Sequence, residues 1–258
     1  MAYYFDVHCH LAIYPNIKKI IKSSEKLSIS IIAVSMDLID NRKTLALAEE
    51  YENVFPMLAL HPFSPISRSA PNLEDAKLVA TLIEENLDKI VGVGEIGLDH
   101  YFLKDKSSYA IQNEVFNYFL DLAEKYQLGI TVHGKNAEIE VFEQLKSRKI
   151  HPISIHWYSG PQDLINNGIR RGYYFSITPA VLYSAKHRIV VEKVPLEQLL
   201  TESDGPVNYK IKNKSITGEP IHVVDVVSEI AKIKNLETEK VKQKLYLNAR
   251  KIYEKSTL

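Results

Sequence analysis

The chain has 258 residues, 45% of them hydrophobic and 25% charged, with 32 basic and 32 acidic side chains in balance. This is globular composition, long enough for one large core, and the zero net charge gives no support for nucleic-acid binding through bulk charge, though it leaves room for a local basic patch. The lone cysteine, Cys9, excludes an intrachain disulfide framework and a cysteine-rich zinc site, and no apolar run approaches the roughly 18 residues of a membrane span.

The first β-like run is YYFDVHC, and the start MAYYFDVHCH has no basic segment followed by an apolar stretch. No secretory signal is therefore expected, and a cytoplasmic setting is the expectation. Strict alternation puts Asp6, His8 and His10 on one face of this strand and Cys9 on the other, where it reads as a small buried hydrophobe. Further β-like runs follow as SIIAVSM, VFPMLAL, IVGVGEI, LGITVH, PISIHW, YYFSIT and QLLTES. Amphipathic stretches lie between them, among them NIKKIIKSSEKL, NRKTLALAEEY, LEDAKLVATLIEENL and QNEVFNYFLDLAEKY. In the last of these, Val115, Phe116, Phe119, Leu120 and Ala123 recur at three- and four-residue steps, a helical stripe.

Strands alternating with helices imply βα units and a parallel sheet. Eight units in a chain of this length predict an α/β fold, a (β/α)8 TIM barrel, with a doubly wound open sheet as the alternative. No composition break or linker divides residues 1–258, so one domain is expected. GPVNYKIKNKSITGEP, punctuated by Gly205, Pro206, Gly218 and Pro220, reads as a long loop. The tail after it reads as two helices, the second an extra C-terminal helix starting near Glu237 or Thr238.

The positions of the polar residues carry the chemistry. His8 and His10 end the first run, Glu95 the fourth, His133 the fifth, His156 the sixth and Asp204 the eighth. Taken singly, a histidine in an apolar run reads as a satisfied core residue and Glu95 as a carboxylate paired with a lysine. Taken together, six such residues at strand ends converge on the one mouth where barrel active sites are built. Four imidazoles and two carboxylates exceed the needs of one four-coordinate ion and suit two divalent ions about 3.5–4 Å apart with a shared carboxylate, an arrangement that activates water near neutral pH. The nitrogen-rich, thiolate-free set suits zinc, manganese, cobalt or nickel, and magnesium less well.

The segments DVHCHL, ALHP, GEIGLDH, HWYSG and ESDGP fall in the order and near the spacing found in TatD-like deoxyribonucleases, and the chain resembles that family from Asp6 to about Asn248. The resemblance implies an amidohydrolase-type barrel that hydrolyses DNA phosphodiester bonds with metal-activated water. It implies His8, His10 and Asp204 as ligands of one ion, Glu95 as the bridge, and His133 and His156 as ligands of the other. Asp204 would also orient the water and take its proton. His61 matches the first histidine of the family's GxHPH stretch, read as a substrate-phosphate contact or as loop support, and Phe63 stands at the second. Asp99 and Glu202 would fix the tautomers of ligand rings. Lys135 and Asn136 stand where the family commonly has arginine and then aspartate, and ESD replaces ETD. Lysine keeps the charge but lacks the bidentate fork of arginine, so these departures bear on the substrate rather than on the metals.

DNA is thus the expected substrate, with no membrane and no obligate protein partner. Lys210, Lys212 and Lys214 are candidate phosphate contacts, and Tyr101, Phe102, Trp157 and Tyr158 candidate base-stacking aromatics. The alternative is ester or amide hydrolysis on the same barrel, such as removal of D-amino acids from tRNA. A non-catalytic scaffold ranks last, because an unused site tolerates loss of ligands and all six are present.

Overall fold

A computed structural model describes residues 3–65, 67–211 and 214–253. The barrel units run in chain order as β1 (Tyr4–Cys9) and α1 (Ile17–Lys26), β2 (Ile29–Val34) and α2 (Leu38–Glu50), β3 (Val54–Leu58) and α3 (Leu73–Glu84), then β4 (Gly92–Asp99) and α4 (Tyr109–Tyr126). The second half continues with β5 (Ile130–Lys135) and α5 (Glu138–Leu145), β6 (Ile153–Ile155) and α6 (Gln162–Arg170), β7 (Tyr174–Ile177) and α7 (Ala185–Lys193), and β8 (Leu199–Thr201). A hairpin of β9 (Asn208–Ile211) and β10 (Lys214–Thr217) precedes α8 (Val223–Lys234) and α9 (Thr238–Tyr253). The eight long-range strands form one parallel sheet in the order β1 to β8. No helix among the described residues is long and apolar enough to cross a membrane.

Strands buried on both faces explain the near-continuous apolar runs. Cys9, Ile29, Ile31 and Ala33 pack outward with Ile20 and Ile21 of α1. Phe5, Val7, Ile32, Val34, Met57 and Leu200 cluster with Ala249 and Tyr253, so α9 packs against residues near the strand starts and seals that end of the barrel. The helical stripe of α4 is buried at every position, each large side chain contributing about 1.5–3 kcal/mol of burial. Asp37 caps α2 by accepting from the backbone N–H of Ile39 and Asp40, which starts that helix three residues before the NRKTLALAEEY stripe.

Two sequence expectations change. The segment expected as a loop is a β-hairpin, pairing Asn208 with Thr217 and Ile211 with Lys214. Tyr209 anchors it, buried, with its hydroxyl donating to the Ser203 carbonyl. Glu95 and His133 do not end their strands: β4 and β5 run on past them, pairing Leu98 with Gly134 and Asp99 with Lys135, and the register slips between Val93 and Ile96. Asp6, expected from the sequence as support rather than as a ligand, is tied to the segment after β8. The β1–β2 register slips between Asp6 and Cys9, and the Asp6 carboxylate turns to accept from Ser203 N (2.8 Å), Ser203 Oγ (2.6 Å) and His8 N (3.3 Å).

The last seam of the barrel is closed beyond β8. Asp204 N donates to the His8 carbonyl and His10 N to the Gly205 carbonyl, a short ladder between β1 and the segment that follows β8. This ladder, with Asp6 tied to Ser203, sets His8, His10 and Asp204 side by side.

Candidate metal centre

Glu95 lies at the middle of the mouth, 1% exposed. Its Oε2 is 3.1 Å from His8 Nε2, 3.5 Å from His10 Nε2 and 3.5 Å from His61 Nε2. Its Oε1 is 2.7 Å from His133 Nδ1 and 3.7 Å from His156 Nε2. Asp204 Oδ1 faces the same histidines, 3.6 Å from His8 Nε2, 3.5 Å from His10 Nε2 and 3.7 Å from His156 Nε2. All six residues expected as ligands are therefore in one cluster, and His61 is in it as well.

Most of these contacts are not hydrogen bonds. His8 Nδ1 and Nε2, His10 Nδ1 and Glu95 Oε2 are buried without a hydrogen-bond partner, although His8 Nε2 and Glu95 Oε2 are close. The two atoms border a shared space rather than sharing a proton. Two donors, each roughly 2.0–2.2 Å from one tetrahedral ion, lie roughly 3.3–3.6 Å from each other. The 3.5–3.7 Å spacings around Glu95 Oε2 and Asp204 Oδ1 lie at or just above the upper end of that range. Buried orphan atoms and ligand-like spacing together show that the residues fit divalent cations. Ligand-competent groupings are His8, His10 and Glu95; His61, Glu95 and His133; and His8, His156 and Glu202.

Two outer carboxylates contact the histidine rings. Glu202 Oε2 lies 2.9 Å from His156 Nδ1 while its Oε1 accepts from Trp157 N, leaving His156 Nε2 for the mouth. Asp99 Oδ2 lies 2.8 Å from His133 Nε2, and its Oδ1 accepts from the N–H groups of Tyr101 and Phe102. The backbone of Asp99 is itself clasped by Gln112, which accepts from Asp99 N and donates to Asp99 O. Gln112 has no signature in the sequence beyond being a polar residue in the first turn of an apolar helix stripe. His61 Nδ1 lies 2.6 Å from the Phe63 carbonyl oxygen and 3.1 Å from Phe63 N, so that nitrogen is held by the loop backbone while Nε2 faces Glu95. His61 is thus aimed at the cluster, not at open solvent.

Charge follows from these contacts. Burial opposes a charged imidazole, yet Glu95, Asp99, Glu202 and Asp204 outweigh it, pushing His133 up to about 9 and His156 to about 10. Burial would raise the carboxylates, but the surrounding imidazoles hold Glu95 well below, and Asp204 below, their usual values. His8 is pushed down, by burial first and by His156 second. Asp6 is raised to about 7 by burial, against the pull of its three donors. The paired charges are those a cation would replace, with protons leaving as it binds.

Around the rim, Lys135 Nζ stands 5.8 Å from the Tyr101 ring centroid and 5.4 Å from that of Trp157. Tyr101 and Phe102 are exposed, and Phe102 stacks on Phe63 at 5.2 Å. Tyr158 is buried against Phe142 and Phe175 and cannot stack on a ligand. Lys210 and Lys214 stand exposed on the hairpin, and Lys212 lies outside the described residues.

An eight-stranded parallel barrel with buried imidazoles converging on a carboxylate at its mouth defines a metal-dependent hydrolase. The model of the TatD-related DNase family matches residues 5–254, and the chain belongs to that family. It is 34% identical over 255 residues to an uncharacterized metal-dependent hydrolase of Methanocaldococcus jannaschii, covering 98% of this chain and 97% of the relative. It is 26% identical over 260 residues to the human deoxyribonuclease TATDN3, covering 97% and 94%. Among solved structures, the Escherichia coli TatD homologue YJJV shares the fold with a TM-score of 0.87 at 23% identity, covering 97% of each chain.

Proposed function

We propose that this protein hydrolyses phosphodiester bonds in DNA, with two divalent ions held by His8, His10, Glu95, His133, His156 and Asp204. The observation that carries this reading is the set of 3.5–3.7 Å nitrogen–oxygen spacings around two ionised carboxylates that no hydrogen bond explains. The human relative named a deoxyribonuclease supports the choice of DNA. Bound ions would supply charge for the phosphate oxygens and lower the pKa of water. Zinc, manganese, cobalt, nickel and magnesium are all admitted, the nitrogen count favouring the first four.

The side chains have distinct roles in this reading. Glu95 presents one oxygen to each side of the cluster and would help hold both ions. Asp204 stays ionised and faces three imidazoles, positioned to orient the attacking water and accept its proton. Asp99 and Glu202 hold the rings of His133 and His156 in register. His61 joins the candidate ligands. Lys135, fixed between two aromatic rings, places a cation where substrate phosphate enters. The setting is read as cytoplasmic, where the buried Cys9 stays a thiol.

The test is degradation of 3′-labelled single-stranded DNA by metal-loaded protein, beside Asp204→Asn and a chelated sample. Cleavage lost in both controls is the expected result. Intact DNA with two ions bound would move the assignment to esters or amides, beginning with aminoacyl-tRNA.

A further inference from the structure

Trp157 is the only tryptophan in the chain. It follows His156 directly and has φ = 37°, a left-handed conformation that a bulky side chain adopts only when its surroundings impose it. The imposing contacts are visible: Trp157 N donates to Glu202, the ring packs 5.6 Å from Tyr209 of the hairpin, and Lys135 Nζ lies over its face. Held this way, the indole Nε1 is buried without a hydrogen-bond partner. Beside it, ring centroids 6.1 Å apart, stands His187 of α7, both of whose ring nitrogens are also buried without a partner. Burial first, and Lys135 second, push His187 down to about 4, so it is a neutral ring with one N–H to donate. An unmet buried donor costs about 1–3 kcal/mol, and two neighbouring ones beside an ammonium group call for a shared acceptor.

We propose that Trp157 Nε1–H and the His187 imidazole, next to the Lys135 ammonium, form a subsite for the phosphate that flanks the scissile one in a nucleic-acid strand. The chemistry is that of an anion site: two neighbouring rings carry unmet N–H groups, Lys135 lies over the indole, and no carboxylate is hydrogen-bonded to either ring nitrogen. Its place is one residue from His156, so a phosphate bound there belongs to the same strand as the bond being cut. This inference rests on the phosphodiesterase reading above. It assigns His187 a role that its position on a helix, outside every motif, does not suggest.

The emission of Trp157 reports occupancy directly. Metal-loaded protein is titrated with thymidine 3′,5′-bisphosphate and with thymidine 5′-monophosphate, and then assayed on a thymidine dinucleotide with and without one extra terminal phosphate. The bisphosphate is expected to change the emission and to bind roughly tenfold more tightly than the monophosphate. The extra phosphate, at one end of the dinucleotide, is expected to raise kcat/KM by a similar factor. In His187→Ala and Trp157→Phe the ratio between the two dinucleotides should fall toward one. His187→Gln, which keeps a donor, should restore part of it. A general structural defect would slow both dinucleotides alike and leave the ratio intact. A ratio of one in the unaltered protein, or a ratio unmoved by both substitutions, overturns the subsite while the nuclease reading stands. Failure to cleave either dinucleotide or longer DNA contradicts the nuclease reading, and the subsite with it.

Discussion

Asp6 and Asp204 are buried in the same corner of the mouth yet meet different partners, and that difference sets what each should do when changed. Asp204 faces imidazole nitrogens at 3.5–3.7 Å, whereas Asp6 is saturated by the Ser203 and His8 donors. Replacing His8 and His10 together with alanine should remove one metal equivalent, read by elemental analysis of the purified protein. Asp6→Asn should keep the metal and lower stability by about 1–3 kcal/mol in a denaturant titration, because one acceptor must replace a carboxylate that serves three donors. Equal metal loss in both variants would contradict the separation of roles. Protonation gives a second check. The folded-state values of His133 and His156, about 9 and about 10, lie above the ordinary 6.5, so the folded protein binds more protons than the unfolded chain between them. Their contribution is complete below about 6.5 and is lost as pH rises through 9–10. Chelator-treated protein should therefore melt at progressively lower temperature from pH 6.5 to 10, and metal loading should flatten that slope. A rising melting temperature across the window would count against the pairing of these rings with carboxylates.

At the scale of elements, the site depends on how closely β4 and β5 approach. Gly97 has φ = 149°, and a Cβ there would lie 1.9 Å from the His133 carbonyl oxygen. Gly97→Ala should force the strands apart at His133 and cost on the order of 3 kcal/mol or more, with loss of metal, measured by thermal melts and metal content. Retention of both would mean the approach is not required. The eight strands were legible in the sequence because each is an apolar run bounded by turns and separated by amphipathic helix. The six candidate ligand positions were legible because imidazoles and carboxylates interrupt those runs. What was not legible depends on neighbours distant in sequence. Register slips in β1 and β4 break the alternation that placed Asp6 with the histidines and made Glu95 a strand end. The hairpin was hidden by its glycines and prolines, and its anchor is Tyr209 packing on Trp157, a contact no local pattern encodes. His187 and Gln112 lie on helices whose spacing reads only as packing.

For the whole molecule, chain that is not part of the eight strands closes the last seam of the barrel near the mouth and seals its opposite end. At the mouth, the segment after β8 joins β1 and carries Asp204. At the other end α9 inserts Tyr253, whose hydroxyl lies 3.3 Å from Thr131 Oγ1 in β5, and Asn248 donates to the carbonyls of Leu196 and Leu199. Tyr253→Ala should lower stability by about 3–5 kcal/mol through the cavity it leaves, with metal content unchanged in the folded protein, read by denaturant midpoint and elemental analysis. Loss of metal in the folded variant would show that the two ends are coupled.

The proposed function stands on Glu95 serving two cations at once. The measurement that tests this most directly is anomalous diffraction at the metal edge from crystals of zinc- or manganese-loaded protein. Two peaks are expected, one on each side of the Glu95 carboxylate, the first within ligand distance of His8 and His10 and the second of His133 and His156, with Asp204 reaching the first. A single peak, or two peaks that do not share Glu95, would contradict the account.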